Sequence, residues 1–139
     1  MERCFADTNL FLRYLTNDVP EQADAVERLL RQAGSGKVFL ETSVLVMAEM
    51  IWTMESYYGL DRSAISDNVL AILNTPGLEV ENAKLILQAM VWYEEEKVDF
   101  GDAYNAAWLL DRGMKVACTF DRKHFARLDG VSVRAPTSQ

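Results

Sequence analysis

The chain is poor in the residues that build disulfide scaffolds, cysteine zinc sites and nucleophilic active centres. Its 139 residues include two cysteines and one histidine. Cys4 and Cys118 lie in apolar runs, and no C-x-x-C spacing occurs, so we expect both thiols to be reduced core residues. His124 stands between Lys123 and Phe125, and we interpret it as a surface or packing residue rather than a general base. We therefore assign no catalytic role to the histidine.

Long apolar segments and an excess of positive charge are also missing. No stretch approaches ~18 uninterrupted apolar residues, and the first residues lack the basic flank and apolar core of a signal peptide. We therefore expect a cytoplasmic protein with no membrane partner. The chain has 14 basic and 21 acidic residues, which give a net charge of -7. This charge argues against a broad positive surface that would bind nucleic acid. An acidic chain can still bind RNA locally.

The hydrophobic pattern alternates short strand-like runs with longer amphipathic segments. Strand-like runs occupy 3–6, 37–40, 78–80, 115–120 and 131–133, and helical patterns occupy 10–15, 20–34, 44–58, 61–76, 83–96 and 103–112. Helices between strands provide crossover connections, which predict a mainly parallel sheet. With half of its residues hydrophobic, the chain is long enough for one compact core. We predict a single domain, 1–139, with an α/β fold: a three-layer α/β/α sandwich around a central, mainly parallel sheet.

Acidic residues occur at or near the carboxyl ends of the predicted strands, where folds of this class bind their ligands. Asp7 follows the first strand directly, and Asp121 follows the strand at 115–120. Asp102 is predicted in the first turn of a helix, and Glu49 about six residues into another. Because ligands of open α/β sheets bind outside the carboxyl ends of the strands, we expect these four acids to converge at one edge.

Four converging carboxylates would repel one another unless a cation lies between them. Two like charges ~4 Å apart cost about 4 kcal/mol at an effective dielectric of 20. Mg²⁺ and Mn²⁺ prefer oxygen ligands and remove this cost. Such ions also activate water and stabilise a leaving oxygen in phosphodiester hydrolysis. The pattern therefore indicates a metal-dependent hydrolase that needs no cysteine or histidine nucleophile.

Four short blocks along the whole chain resemble the signature blocks of PIN-domain ribonucleases. Within that family, the chain most resembles the VapC toxins of bacterial and archaeal type II toxin-antitoxin systems. The blocks are Asp7-Thr8-Asn9, Ser43 six residues before Glu49, Asp99-Phe100-Gly101-Asp102-Ala103, and Thr119-Phe120-Asp121-Arg122. Each block is weak alone. All four in this order and spacing are specific.

The resemblance implies an endoribonuclease that holds Mg²⁺ or Mn²⁺. The residues that match the catalytic and metal-binding acidic quartet are Asp7, Glu49, Asp102 and Asp121. Asn9, Ser43 and Thr119 match polar positions that support the acids and bound waters, and Asp99 either joins the site or caps a helix. The resemblance also implies an RNA substrate, a homodimer, and an antitoxin whose C-terminal segment enters the acidic groove.

Other interpretations remain open at this stage. Taken singly, Asp7, Asp102 and Asp121 are equally typical of helix caps or turns, and Glu49 of an exposed helix residue. The chain also fits a PIN module that binds RNA or protein without cutting, or a phosphate-transfer domain of the response-regulator kind. The RNA that is cut, the number of ions and the antitoxin are not specified by the sequence.

Two surface features have both a functional and an ordinary interpretation. Trp52, Tyr57 and Tyr58 fall in one helical pattern, and we expect them on a dimer or antitoxin surface rather than stacked on RNA bases. The basic residues nearest the predicted edge contact the RNA backbone or serve solubility alone; they are Arg13, Arg122, Lys123 and Arg127. We expect the polar tail after Val133 to be loosely ordered.

Overall fold

The computed structural model describes residues 1–137, which contain seven helices and five strands. The chain divides into two compact units, a first unit of Met1–Ala83 and a second unit that begins at Lys84. Of the polar tail, residues 138 and 139 lie outside the described part. No helix within the described part is long and apolar enough to cross a membrane.

The first unit contains three parallel strands and four helices. In chain order they are β1 (Glu2–Phe5), α1 (Thr8–Thr16), α2 (Pro20–Gly34), β2 (Val38–Thr42), α3 (Val44–Ser56), α4 (Arg62–Leu73) and β3 (Leu78–Val80). The strand order is β1-β2-β3, so β2 is central. Cys4 lies opposite Leu40, and Leu40 lies opposite Leu78. The carboxyl ends of the three strands therefore meet at one edge of this sheet.

Apolar residues at strand and helix periodicity build the core of the first unit. Alternate residues of β2, Val38, Leu40 and Thr42, are buried, as the period of two requires for a strand with one covered face. Val38 and Leu40 pack with Ala33 of α2. Helix α3 has a nearly continuous set of buried residues, which are Val46, Met47, Ala48, Met50, Ile51 and Met54. Each fully buried valine, isoleucine or methionine side chain contributes about 1.5–3 kcal/mol through the hydrophobic effect.

The second unit contains the remaining helices and two parallel strands. Helix α5 (Ala83–Glu95) begins at the boundary and is followed by α6 (Phe100–Asp111), β4 (Val116–Cys118), α7 (Arg122–Phe125) and β5 (Ser132–Arg134). Strands β4 and β5 pair with each other, with Cys118 opposite Arg134. Asp99 caps α6 by accepting a hydrogen bond from the Gly101 N–H at 3.0 Å. The predicted helix at 103–112 therefore begins three residues earlier.

The predicted fold class, α/β with parallel strands joined by helices, is confirmed. The strands nevertheless form two sheets, three strands in the first unit and two in the second. The predicted core position of Cys118 is wrong, because β4 has exposed side chains at both Val116 and Cys118. Helix α7 was not predicted, since four residues are too few for a helical pattern. Both cysteines are free, as expected.

Gly77 fixes the approach of α2 to the start of β3. Its φ is +79°, and a Cβ atom there would lie 2.2 Å from the Ala33 carbonyl oxygen. Its own carbonyl accepts a hydrogen bond from the Leu40 N–H at 3.0 Å. Only glycine satisfies both the left-handed backbone and this close backbone contact.

We predict that Gly77→Ala lowers the free energy of unfolding by at least ~3 kcal/mol, whereas Gly36→Ala lowers it by about 1 kcal/mol. Gly36 is the matched control, because its φ is +82° but a Cβ atom there meets no heavy atom within 4 Å. Urea denaturation of both variants measures the difference. Equal losses would show that the contact with Ala33 contributes nothing beyond the backbone conformation.

Candidate metal centre

Two of the predicted acids and the single histidine meet in the second unit. Asp102 lies in the first turn of α6. Asp121 caps α7, where its Oδ1 accepts a hydrogen bond from the His124 N–H at 3.4 Å. The same short helix turns the His124 ring back onto this cap, because residues three apart on a helix are neighbours.

The side-chain atoms of these three residues form a compact donor cluster. His124 Nδ1 lies 2.9 Å from Asp121 Oδ2 and 3.5 Å from Asp102 Oδ2. One donor atom from each residue lies within 4.8 Å of the other two. The side chains are partly buried, with exposed fractions of 30% for Asp102, 41% for Asp121 and 33% for His124. The cluster is thus open to a small ion while its atoms are partly shielded from bulk water.

A local hydrogen bond holds the loop that carries Asp121. The Asp121 N–H donates to Thr119 Oγ1 at 2.9 Å, and the Thr119 N–H donates to the Arg134 carbonyl at 3.1 Å. Thr119 therefore links the end of β4, the strand β5 and the start of α7. The family resemblance implies a supporting role for Thr119 at the site, and that role stays a prediction.

The two acids of the cluster have opposite electrostatic environments. Burial raises the pKa of Asp102, and repulsion from Asp121 and Asp99 raises it further against a smaller attraction to His124. The hydrogen bond from His124 lowers the pKa of Asp121, against the effect of burial. The ionised form is therefore disfavoured at Asp102 and favoured at Asp121, relative to the same groups in water.

The other two predicted acids lie in the first unit. Asp7 follows β1 and caps α1, where its Oδ1 accepts a hydrogen bond from the Thr8 N–H at 2.7 Å. Beside it, Thr8 Oγ1 is buried and has no hydrogen-bond partner among the described residues. A buried hydroxyl of this kind requires a water or ligand to satisfy it.

Glu49 is an exposed residue on a helix that is otherwise largely buried. Helix α3 begins at its cap Ser43, whose Oγ accepts a hydrogen bond from the Val46 N–H at 3.3 Å. Glu49 lies six residues after this cap and is exposed, while Ala48 and Met50 on either side are buried. The apolar neighbours hold the helix and leave the carboxylate accessible.

The structure thus brings together Asp102 and Asp121, and the convergence of all four acids stays a prediction. Asp99 caps α6 and also acts on Asp102 through its charge. Sequence reasoning missed His124 as a member of the cluster. The signal was present, because a histidine three residues after an acid that caps a helix faces that acid.

The chemistry of the donor set fits a divalent cation. Two carboxylate oxygens and an imidazole nitrogen are ligands that first-row transition metals accept, and the oxygens also suit Mg²⁺. A cation between the two acids would offset the repulsion that contributes to the raised pKa of Asp102. In the first unit, the buried hydroxyl of Thr8 is a further polar group that a water or ligand could satisfy.

Comparison with protein families identifies the chain. The model of the PIN domain family matches residues 4–131. The chain belongs to the PIN domain family. The match spans Asp7, Glu49, Asp102 and Asp121, and it runs through both compact units.

Two solved structures resemble this PIN domain weakly. One is Mycobacterium tuberculosis VapC20, described as a sarcin-ricin loop cleaving toxin, with 22% identity, a TM-score of 0.38, and coverage of 88% of this chain and 93% of that chain. The other is VapBC2 from Rickettsia felis, bound to a DNA fragment from its promoter, with 13% identity, a TM-score of 0.39, and coverage of 99% and 100%. No curated protein matches the chain.

We predict that Asp102→Asn stabilises the metal-free protein slightly at pH 7.5. The raised pKa of Asp102 means that its ionisation opposes folding above that pKa, and a neutral amide relieves the cost. The expected gain in Tm is on the order of 1–2 °C, the effect of a few tenths of a kcal/mol. Added Mn²⁺ should raise the Tm of the parent protein and not that of the variant.

Differential scanning fluorimetry with and without chelator measures these shifts. Glu94→Gln is the matched control, since it neutralises an exposed acid of α5 in the same unit. A clear loss of Tm in metal-free Asp102→Asn would show that the carboxylate stabilises the fold rather than straining it.

Proposed function

We propose that this PIN domain is a metal-dependent endoribonuclease of the VapC type, the toxin of a toxin-antitoxin pair. The observation that carries the proposal is the contact cluster of Asp102 and Asp121, two acids of the family quartet that lie in separate sequence blocks. The family match across 4–131 supports it. We treat 1–139 as one functional domain, because a single family model covers nearly all of it.

The proposed site residues divide the work of phosphodiester hydrolysis. Asp7, Glu49, Asp102 and Asp121 are the proposed catalytic residues and ligands of Mg²⁺ or Mn²⁺. The bound ion would supply a counter-charge and Lewis acidity. The carboxylates orient the attacking water, whose oxygen bonds to phosphorus as the bond to the leaving ribose oxygen breaks. One proton leaves the water and one reaches the leaving oxygen, so the balance needs no further reactant.

A cavity beside Asp102 provides room for a nucleotide next to the cut. It has a volume of about 470 Å³ and is lined in the second unit by residues that include Asp102, Asn105, Trp108 and Thr119. Trp108 is 37% exposed. An amide and an indole beside a reactive centre suit a flipped or single-stranded base, which is read by hydrogen bonds and stacking.

The proposed protein partners are an antitoxin and a second copy of the chain. Leu45, Trp52 and Tyr57 on and just beyond α3 are exposed by 64%, 42% and 78%. Exposed aromatic residues of this kind are enriched in protein interfaces. A net charge of -7 also favours a basic antitoxin segment. The proposed place of action is the cytoplasm, where RNA and antitoxin would both be present.

We predict that the purified protein cuts RNA in the presence of Mg²⁺ or Mn²⁺, and that Asp7→Asn lowers the rate at least ~100-fold. Asparagine caps a helix as well as aspartate does, so α1 should persist and the loss should report on chemistry. Total RNA and single-stranded oligonucleotides are the substrates, with chelator added in parallel. Discrete products are resolved by gel and mapped by sequencing their ends.

Asp67→Asn is the matched control, because Asp67 is an exposed acid on α4 of the same unit. It should cut at the parental rate. Cleavage that survives in Asp7→Asn would point to a contaminating nuclease or a different mechanism. Metal binding without cleavage of any RNA would favour the alternative function, a PIN module that binds RNA or protein without cutting.

A further inference from the structure

We propose that His124 is a third protein ligand of the metal, so that the centre is a mixed nitrogen and oxygen site that selects Mn²⁺ over Mg²⁺. The inference rests on the proposed function and concerns the ion that serves it. The acidic quartet alone would offer only oxygen ligands.

The positions of the three donor atoms agree with coordination of one ion. Two ligands about 2.1 Å from an octahedral ion and at right angles to each other are about 3 Å apart. His124 Nδ1 lies 2.9 Å from Asp121 Oδ2 and 3.5 Å from Asp102 Oδ2. The nitrogen thus lies close to the separation expected of a neighbouring ligand from each of the two oxygens.

Hydrogen bonding alone leaves part of this arrangement unexplained. A protonated Nδ1 donates one hydrogen bond, which goes to Asp121 at 2.9 Å. Asp102 Oδ2 faces the same nitrogen at 3.5 Å and receives no comparable bond from it, since this distance exceeds the usual range. An ion between the three atoms satisfies both carboxylates and the nitrogen together.

The short helix α7 holds the ring in this position. Phe125 and Leu128, on either side of the turn that ends α7, are 7% and 2% exposed. The Leu128 N–H donates to the Phe125 carbonyl at 3.1 Å, which closes the turn. Since its neighbours are anchored in apolar surroundings, His124 keeps its Nδ1 directed at the acids.

A nitrogen ligand changes which ion the centre prefers. Mg²⁺ requires a nearly ideal octahedron of oxygen ligands and loses its waters reluctantly. Imidazole suits first-row transition metals, and the affinity of a given site rises from Mn²⁺ towards Cu²⁺. The presence of His124 should therefore raise the affinity for Mn²⁺ more than that for Mg²⁺.

The single histidine of the chain permits a direct test by pulsed electron paramagnetic resonance of bound Mn²⁺. The full chain is purified with a tag that contains no histidine, stripped of metal, and loaded with substoichiometric Mn²⁺. We expect a hyperfine coupling from one ¹⁴N nucleus, which changes to the ¹⁵N pattern when only histidine is labelled. Absence of a coupling that responds to this label would overturn the inference.

Two variants test the preference between ions independently of cleavage. His124→Asn places an oxygen near the position of Nδ1, and we expect it to lower Mn²⁺ affinity about 10-fold while Mg²⁺ affinity changes less than about threefold. His124→Phe removes the donor and should weaken both ions. Competition calorimetry measures the affinities, and circular dichroism confirms that each variant is folded. An unchanged Mn²⁺ to Mg²⁺ ratio in His124→Asn would contradict the proposal.

The double variant Asp102→Asn, Asp121→Asn separates this inference from the proposed function. If Mn²⁺ binds that variant as well as it binds the parent, the metal centre itself is wrong, and both proposals fail. If Mn²⁺ binding requires the two acids but shows no histidine nitrogen, His124 only holds Asp121 by its hydrogen bond. In that case the proposed ribonuclease stands and the mixed ligand set does not.

Discussion

The repulsion between Asp102 and Asp121 is the constraint on which the proposed activity depends. Burial raises the pKa of Asp102, and the neighbouring charge of Asp121 raises it further. Under the proposed function, RNA would bring more negative charge to the same place. A cation bound between the two acids would offset this repulsion. The apolar packing of Phe125 and Leu128, the hydrogen bond from the Asp121 N–H to Thr119 and the ring of His124 hold Asp121 in place beside Asp102.

The order of helices and strands was predictable because each element carries its own local signal. The boundaries of these elements depend on neighbours in the chain. They are marked by Pro20 at the first position of α2, by the caps Ser43 and Asp61, and by Gly77 before β3. The pairing of strands into two sheets was not predictable, since hydrogen-bond partners across a sheet leave little trace in one sequence. The exposure of Cys118 was not predicted either, because an apolar run does not reveal which of its faces is covered.

The acids of the site were easier to predict than their surroundings. Asp102 and Asp121 stand next to element ends, where short motifs are readable, and their proximity follows from the fold. His124 was interpreted as a surface or packing residue, because its spacing from Asp121 is informative only if Asp121 caps a helix. Its role depends on α7, a helix of one turn whose existence rests on the Asp121 cap and the burial of Phe125. Tertiary packing decides such elements, so no periodic pattern announces them.

An acidic protein and an RNA substrate repel each other, but a cation bound at the acidic cluster would provide a local positive charge for the RNA. A chain with a net charge of -7 gains little from counterion release along the phosphate backbone, which is the main source of affinity for basic RNA-binding proteins. Under the proposed function, its contacts with RNA would instead be concentrated at a bound ion and at the cavity that Trp108 lines. Binding of this kind depends on the ion that is present and on the shape of the RNA. An acidic ribonuclease of this design would therefore be selective because its attraction for RNA is local, and a basic segment of an antitoxin would compete for the same negative charge.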